Sequence, residues 1–399
     1  MREVTIIGAG RTGRGMFGEL FDAEGSFHLN FADQNTDLVR GLRKQGYYKV
    51  EMKDLLTGNT IERTITDFDV FDIFEDREQY IDRLSDSEII TTALFPEAFD
   101  QAIIDLAEAV KLKARRKLNQ ACAILLGANY VGLTDYFYPR IKKLLDEEEN
   151  KYLETYVAVV GSNANRKIAF PAEKKYDFSL VGDNKPILMV NDSFKFATEY
   201  DYPQFFSIVP SIELKMIEKI WSENLEHISL AFLGNSQGYS TVNEAISDNY
   251  IRKIVYYAWK ESREAMLKKF DLPIPDDAFK KEVYQKFASP YFADKLERIG
   301  RDTKRKLKKN DRLLGPAYLC LENGVFPYFI FKVVAYGFFY IEENTPDSIE
   351  ITQFVQSYGI EKAVEKYCEL DLKDEQDRIV HQMIVKNYKD IEQKDIFPL

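Results

Sequence analysis

The spacing of apolar and polar positions changes near residue 210. Before that point, short apolar runs recur at Val4–Ile7, Phe27–Ala32, Asp86–Leu94, Ala121–Leu126 and Tyr152–Val160, each separated by more polar sequence. Such runs read as buried strands alternating with helices, the order that builds a parallel sheet covered on both faces. Tyr48–Phe71 alternates about a Thr57-Gly58-Asn59 turn and predicts an antiparallel hairpin insertion. The stretch 171–205 reads as short strands and turns. From Ser211 onward the apolar positions recur with helical period through 211–233, 241–270, 276–288, 315–341, 350–369 and 374–388. The expectation is an α/β N-terminal domain over 1–205, with a mostly parallel doubly wound sheet and antiparallel additions. An all-α C-terminal domain over 206–399 follows it.

The first strand runs into a glycine pattern. Residues 4–15 read VTIIGAGRTGRG, so Gly8, Gly10 and Gly13 give G-x-G-x-x-G between a strand and a helical segment. The second apolar run ends in Asp33, twenty residues past Gly13. In a Rossmann-type dinucleotide site the first glycine makes the tight turn and the second lets backbone approach a pyrophosphate. The third allows close packing of helix on strand, and the helix N-terminus faces the phosphates. Asp33 can accept hydrogen bonds from a ribose 2′-hydroxyl and would repel a 2′-phosphate; Gln34 and Asn35 follow it rather than Arg. NAD is therefore expected over NADP, held by Gly8, Gly10, Arg11, Thr12, Gly13, Asp33, Thr92 and Ala93.

Composition narrows the classes of function. The 399 residues are 45% hydrophobic and 30% charged, which suits a soluble protein of two domains. A net charge of −11 speaks against nucleic-acid or membrane-surface binding. The longest apolar stretch, Phe326–Ile341, is broken by Pro327, Lys332 and Gly337 and is too short to span a bilayer. Three scattered cysteines and three histidines offer neither a disulfide framework nor metal-ligand spacing, so no metal is expected. With a strand beginning at residue 3 and no signal peptide, the expected compartment is the cytoplasm.

In the helical half one segment stands out, Lys219-Ile-Trp-Ser-Glu-Asn224-Leu-Glu-His227. On one α-helix Asn224 lies about 140° and His227 about 80° from Lys219, so all three share a broad face. Asn224 and His227, three apart, are neighbours. On spacing alone the default reading is an amphipathic helix with an exposed lysine and a capped or core-satisfied histidine.

Read together, the motifs resemble a known family. G-A-G-R-T-G-R-G, F-A-D-Q-N, T-T-A-L (91–94), Lys-x4-Asn-x2-His, A-F-L-G (231–234), S-P-Y-F-A-D-K-L-E-R-I-G-R (289–301) and R-K-L-x3-D-R-L (305–313) occur in order. They are similar to the mannitol-1-phosphate 5-dehydrogenases, within the polyol-specific long-chain dehydrogenase (mannitol dehydrogenase) family. The resemblance implies metal-independent oxidation of a secondary alcohol by NAD. It makes Lys219 the general base, Asn224 and Asn129 hydrogen-bond donors to the developing alkoxide, and His227 a residue that orients substrate. With Asn129 at a strand end and Asn224 in the helical half, the site is expected between the domains. Burial would have to lower the lysine pKa from about 10.4 for it to serve as base. The chain departs from the family pattern at Ala128, Leu225, Glu226 and Phe95, which bears on the substrate rather than the reaction type.

A last feature is basic. Residues 295–312 carry nine Lys/Arg against three acids, a local net of +6 in an acidic chain. Lys304, Lys308 and Lys309 read as a solvated face, whereas Arg298, Arg301, Arg305, Lys306 and Arg312 are candidates to hold a sugar phosphate, with Arg166 as a further contact. The expected activity interconverts a polyol phosphate and a ketose phosphate, mannitol 1-phosphate and fructose 6-phosphate or a close analogue, by a monomer. The alternatives are a hexuronate (fructuronate or tagaturonate) reductase, an unphosphorylated-polyol dehydrogenase, or a catalytically silent NAD-binding regulator.

Overall fold

Strands and helices alternate through the first half and helices fill the second, as the change of period predicts. The computed structural model describes residues 2–54, 56–128, 132–166, 168–171, 178–193, 202–290 and 294–393. The chain divides into two units, Met1–Met216 and Ile217–Leu399.

The first unit contains twelve strands among its described residues: β1 Arg2–Ile7, β2 Phe27–Asp33, β3 Tyr48–Lys53, β4 Thr60–Ile65, β5 Phe68–Asp72, β6 Ile89–Ala93, β7 Cys122–Gly127, β8 Val157–Asn165, β9 Ile168–Ala169, β10 Leu180–Asp183, β11 Ile187–Asn191 and β12 Phe206–Val209. Eight of them form one sheet in the order β12-β11-β8-β7-β6-β1-β2-β5. Its central pairings are parallel, and β11 runs antiparallel to β8 with β12 parallel to β11. Helices α1 Glu19–Glu24, α2 Thr36–Gln45, α3 Arg77–Asp86, α4 Phe99–Arg115, α5 Leu133–Lys143 and α6 Glu147–Tyr156 accompany it. Alternation along β1 serves both faces. Val4 and Ile6 enter one apolar cluster with Phe31 and Tyr48, while Ile7 enters another with Ile90 and Leu126.

Three boundaries differ from the sequence reading. The hairpin ends at Ile65, since β3 and β4 pair antiparallel from Tyr48↔Ile65 to Lys53↔Thr60 while Phe68–Asp72 joins the main sheet beside β2. Together with β9 and β10 the hairpin forms a second sheet, β4-β3-β10-β9. Residues 152–156 are the end of α6, which starts on an Asp146–Glu149 capping box, rather than the start of a strand. A domain boundary at 205/206 would detach β12, which pairs with β11 from Leu188↔Phe206 to Asn191↔Val209.

Helix α7 Ile212–Glu218 leads into the second unit. There the chain runs through α8 Asn224–Ser236, α9 Val242–Ser247, α10 Asn249–Phe270, α11 Asp277–Phe287, α12 Leu296–Gly300, α13 Thr303–Leu307, α14 Leu314–Glu322, α15 Tyr328–Gly337, α16 Pro346–Tyr358, α17 Ile360–Tyr367 and α18 Glu375–Glu392. One apolar cluster spans the unit, from Leu225 to Tyr388. Helix α8 is its axis: every residue from Leu225 to Gly234 is buried except His227. A helix apolar almost all round must be central. Among the described residues no helix is long and apolar enough to cross a membrane.

Candidate active site

The glycine fingerprint has the geometry its spacing implies. Gly8 leaves β1 at φ +102°, and a Cβ there would lie 2.5 Å from the Ala93 carbonyl oxygen. A Cβ on Gly13 would lie 1.8 Å from the Gly8 carbonyl oxygen, so the following helix can approach β1 only with glycine at this position. Gly10 is different: no atom lies within 4 Å of where its Cβ would be, leaving that backbone open to a ligand. The turn sits between β6 and β2, at the point where sheet order reverses, which is where α/β sheets bind nucleotides.

Asp33 closes this turn. One carboxylate oxygen accepts the Ala9 N–H at 2.8 Å and the other the Asn35 N–H at 2.9 Å. Each oxygen keeps a lone pair for a ribose hydroxyl. The hydroxyl oxygen of Thr92 accepts the Gly127 N–H at 3.0 Å and joins the ends of β6 and β7. Ala93 lies against Gly8, Thr12 is exposed, and the Arg11 guanidinium lies 5.6 Å from the centre of the Phe170 ring. These residues fit a dinucleotide: open backbone, a packed helix start and a fixed carboxylate at the neighbouring strand end. The sequence reading missed Arg14. It is buried, donates to the carbonyls of Ala9 (2.7 Å) and Phe178 (2.5 Å), and is held down at about 10 by that burial. A lone charge within the glycine-rich helix start was the available signal.

Arg166 is not disposed as expected for a substrate contact. Its side chain is fully buried, and Nη1 donates to Glu19 at 2.7 Å and to the Gly15 carbonyl at 2.8 Å. It braces the glycine helix against β8. Asn129 lies outside the described residues.

In the second unit the Lys219 segment is helical, with a local change of ladder. Lys219–Glu223 form a π-turn, and the Asn224 N–H bonds to the Lys219 carbonyl. An i→i+5 turn stacks Asn224 closer above Lys219 than the about 140° of a regular helix. His227 follows three residues on, partly exposed, with its ring 4.8 Å from that of Phe287. Burial holds the Lys219 pKa below the ordinary lysine value, and the charge of Glu223 only partly offsets it. Lys219, Asn224 and His227 are each partly exposed, with Glu223 exposed between them and Leu225 and Glu226 buried. No sequence signal announced the π-turn.

The basic stretch is far less open than its charge suggests. Arg298 is paired with Asp294, Arg305 with Asp311 at 2.9 Å, and Arg312 with the same Asp311 at 2.7 Å. Burial pushes Asp311 up, yet Arg312 and Arg305 hold it below the ordinary carboxylate range. Lys306 is buried and donates to the carbonyls of Ile299 (2.6 Å) and Arg301; burial, with Arg312 and Arg305 adding, lowers it to about 7. Arg301 is exposed and in no ion pair among the described residues. A concavity of about 430 Å³ lies elsewhere in this unit, lined by Arg252, Tyr256, Lys280 and Tyr284 among others; none of Lys219, Asn224 and His227 lines it. Among the described residues no group of three His, Cys, Asp or Glu is placed to hold a metal.

Both halves match one family. Residues 2–199 match the mannitol dehydrogenase Rossmann domain and residues 215–397 the mannitol dehydrogenase C-terminal domain. The chain belongs to the mannitol dehydrogenase family. It is thus an oxidoreductase of the polyol dehydrogenase kind, acting on a secondary alcohol. Mannitol-1-phosphate 5-dehydrogenase of Buchnera aphidicola is 26% identical over 372 residues, covering 93% of this chain and 94% of that protein. The enzyme of the same name from Thermoanaerobacter pseudethanolicus is 27% identical over 405 residues, covering 98% and 99%. In fold, the chain is similar to Pseudomonas fluorescens mannitol 2-dehydrogenase in ternary complex with NAD and D-mannitol. That likeness has a TM-score of 0.76 at 14% identity and covers 98% of this chain and 92% of that one.

Proposed function

We propose that the chain is an NAD-dependent polyol-phosphate dehydrogenase interconverting mannitol 1-phosphate and fructose 6-phosphate or a close analogue. The observation that carries this reading is the π-turn, which stacks Asn224 over a lysine whose pKa burial has lowered. Gly8, Gly10, Gly13 and Asp33 would hold NAD, which when bound accepts hydride from the alcohol carbon. Lys219, neutral, removes the hydroxyl proton as the carbon–hydrogen bond breaks. Asn224, with Asn129, donates to the oxygen as negative charge builds on it. His227 orients a neighbouring hydroxyl. No metal has a part in this scheme.

The near-full-length likeness to mannitol-1-phosphate 5-dehydrogenases supports the phosphorylated substrate. Of the arginines in residues 295–312, Arg301 is the one in no ion pair among the described residues. One observation favours an unphosphorylated polyol or a hexuronate instead: Arg298, Arg305 and Arg312 are already paired with acids. The deciding experiment follows NADH formation with phosphorylated and free C5 and C6 polyols and uronates. Turnover confined to phosphorylated polyols supports the proposal, and turnover of free polyols or uronates alone selects the second reading. NAD binding with no turnover of any substrate marks a silent regulator and overturns both.

A further inference from the structure

The π-turn is bracketed by two ion pairs, one fully buried and one in which only the arginine is buried. On its N-terminal side, Arg263 of α10, 2% exposed, donates to Glu218 at 2.7 Å and also to the Pro273 carbonyl. On its C-terminal side, Lys280 of α11 is paired with Glu226, and both are almost fully buried. The Lys280 ammonium also lies 3.8 Å from the centre of the Trp259 ring and 5.0 Å from that of Tyr284. Between the two pairs, the Ser262 hydroxyl donates to the Trp221 carbonyl, inside the π-turn, at 2.7 Å.

The spacing on the two outer helices is regular. Ser262 and Arg263 are adjacent on α10, and Lys280, Tyr284 and Phe287 recur at i, i+4 and i+7 along one face of α11. Through that face α11 holds Glu226 with Lys280 and packs Phe287 on His227. Successive residues of α8 are thus gripped by one partner.

Stability alone is a poor reason for this arrangement. Buried ion pairs contribute little net stability, because desolvation offsets their attraction, and apolar pairs of similar volume often do as well. Burial indeed drives both partners toward neutrality, raising Glu226 and lowering Lys280, and each resists the other's shift. A π-turn has a different need. It holds one residue more than an α-helical turn, and closing it would rotate one flank against the other by about 100°. Lys219 lies at one end of the turn, Asn224 and His227 at the other.

We propose that Glu218–Arg263 and Glu226–Lys280 are positioning pairs that hold the π-turn and thereby set the directions of Lys219, Asn224 and His227. This rests on the reading that those three residues carry the chemistry. The test uses the full chain with two double substitutions that remove both charges of each pair, Glu218→Leu/Arg263→Met and Glu226→Leu/Lys280→Met. Melting temperature, NADH affinity, KM and kcat are measured for each. The expected result is kcat reduced about 10- to 100-fold, the loss that about 1 Å of misplacement causes, with NADH affinity and melting temperature close to those of the parent. A wild-type kcat in either variant, or a loss of kcat matched by a loss of melting temperature, overturns the proposal.

A second readout needs no substrate. With three histidines in the chain, the imidazole C–H spectrum is assignable by single substitutions. Glu218→Leu/Arg263→Met should displace the His227 signal, nine residues from the nearer change, and leave His28 and His381 in place. Superposition of the His227 signal on that of the parent refutes the coupling. Lys219→Ala run in parallel separates the two ideas: full activity in that variant removes the catalytic reading, while the His227 spectrum still judges the clamp.

Discussion

Gly10 and Gly13 are three residues apart in one fingerprint, yet the structure gives them opposite sensitivities to a methyl group. A Cβ on Gly13 would lie 1.8 Å from the Gly8 carbonyl oxygen, where contacts under 3.0 Å are essentially never found. The helix start must therefore retreat from β1 by about 1.2 Å, and the obstacle is backbone, which cannot rotate away. Overpacking of this kind costs about 3 kcal/mol, at the upper end of its range. For a domain of this size that lowers the melting temperature by about 6–12 °C. Gly10→Ala meets no atom within 4 Å and should melt within about 2 °C of the parent. If the pyrophosphate lies against Gly10, the same methyl should weaken NADH binding at least about tenfold, or about 1.4 kcal/mol. Thermal melting and NADH fluorescence titration of both variants read the two effects separately. Gly10→Ala binding NADH within about twofold of the parent would show that no phosphate uses that backbone. Gly13→Ala melting like the parent would show that helix and strand are not packed as described.

Five further outcomes are expected. Lys219→Ala should bind NADH normally and lose nearly all turnover. In the parent, kcat for alcohol oxidation should rise with pH as Lys219 loses its proton and level off below the ordinary lysine range, because burial lowers that pKa; a rise continuing past pH 10.5 would contradict this. Asp33→Ala should weaken NAD more than NADP, and should also lower the melting temperature slightly, since the Ala9 N–H loses its acceptor; competitive titration of the two cofactors checks it. Arg166→Met should cost about 3 kcal/mol in denaturant unfolding without raising KM for the polyol, because it strands buried Glu19 with only Arg63 as partner. Arg301→Ala should raise KM for a phosphorylated polyol far more than for the free polyol, which a side-by-side kinetic comparison reads directly.

Local features were legible in the sequence and distant pairings were not. The fingerprint could be read because turn, close packing and terminal acid are all set within Val4–Asp33. The helical second half could be read from its apolar period alone. The fate of Phe68–Asp72 could not, because the same alternating residues serve a hairpin or a parallel edge strand, and only pairing with β2 decides. Arg166 looked available at a strand end, and its partner Glu19 lies 147 residues away. The π-turn left no mark in the residues Lys219–Asn224 themselves, and its contacts come from helices distant in sequence, such as Ser262 of α10 on the Trp221 carbonyl. Glu226 did leave a trace, as one of the departures from the family pattern between Asn224 and His227.

The ion pairs of residues 295–312 bear on how a substrate arrives. Five acids from outside that stretch, Asp294, Asp347, Glu350, Glu369 and Asp377, face its cations and leave it close to neutral. The chain as a whole carries −11. A sugar phosphate would thus approach a chain whose net charge repels it at a stretch that no longer draws it in, with attraction to Arg301 beginning only within a screening length of about 8 Å. Encounter with such a substrate should therefore quicken as salt is added, the reverse of electrostatic steering.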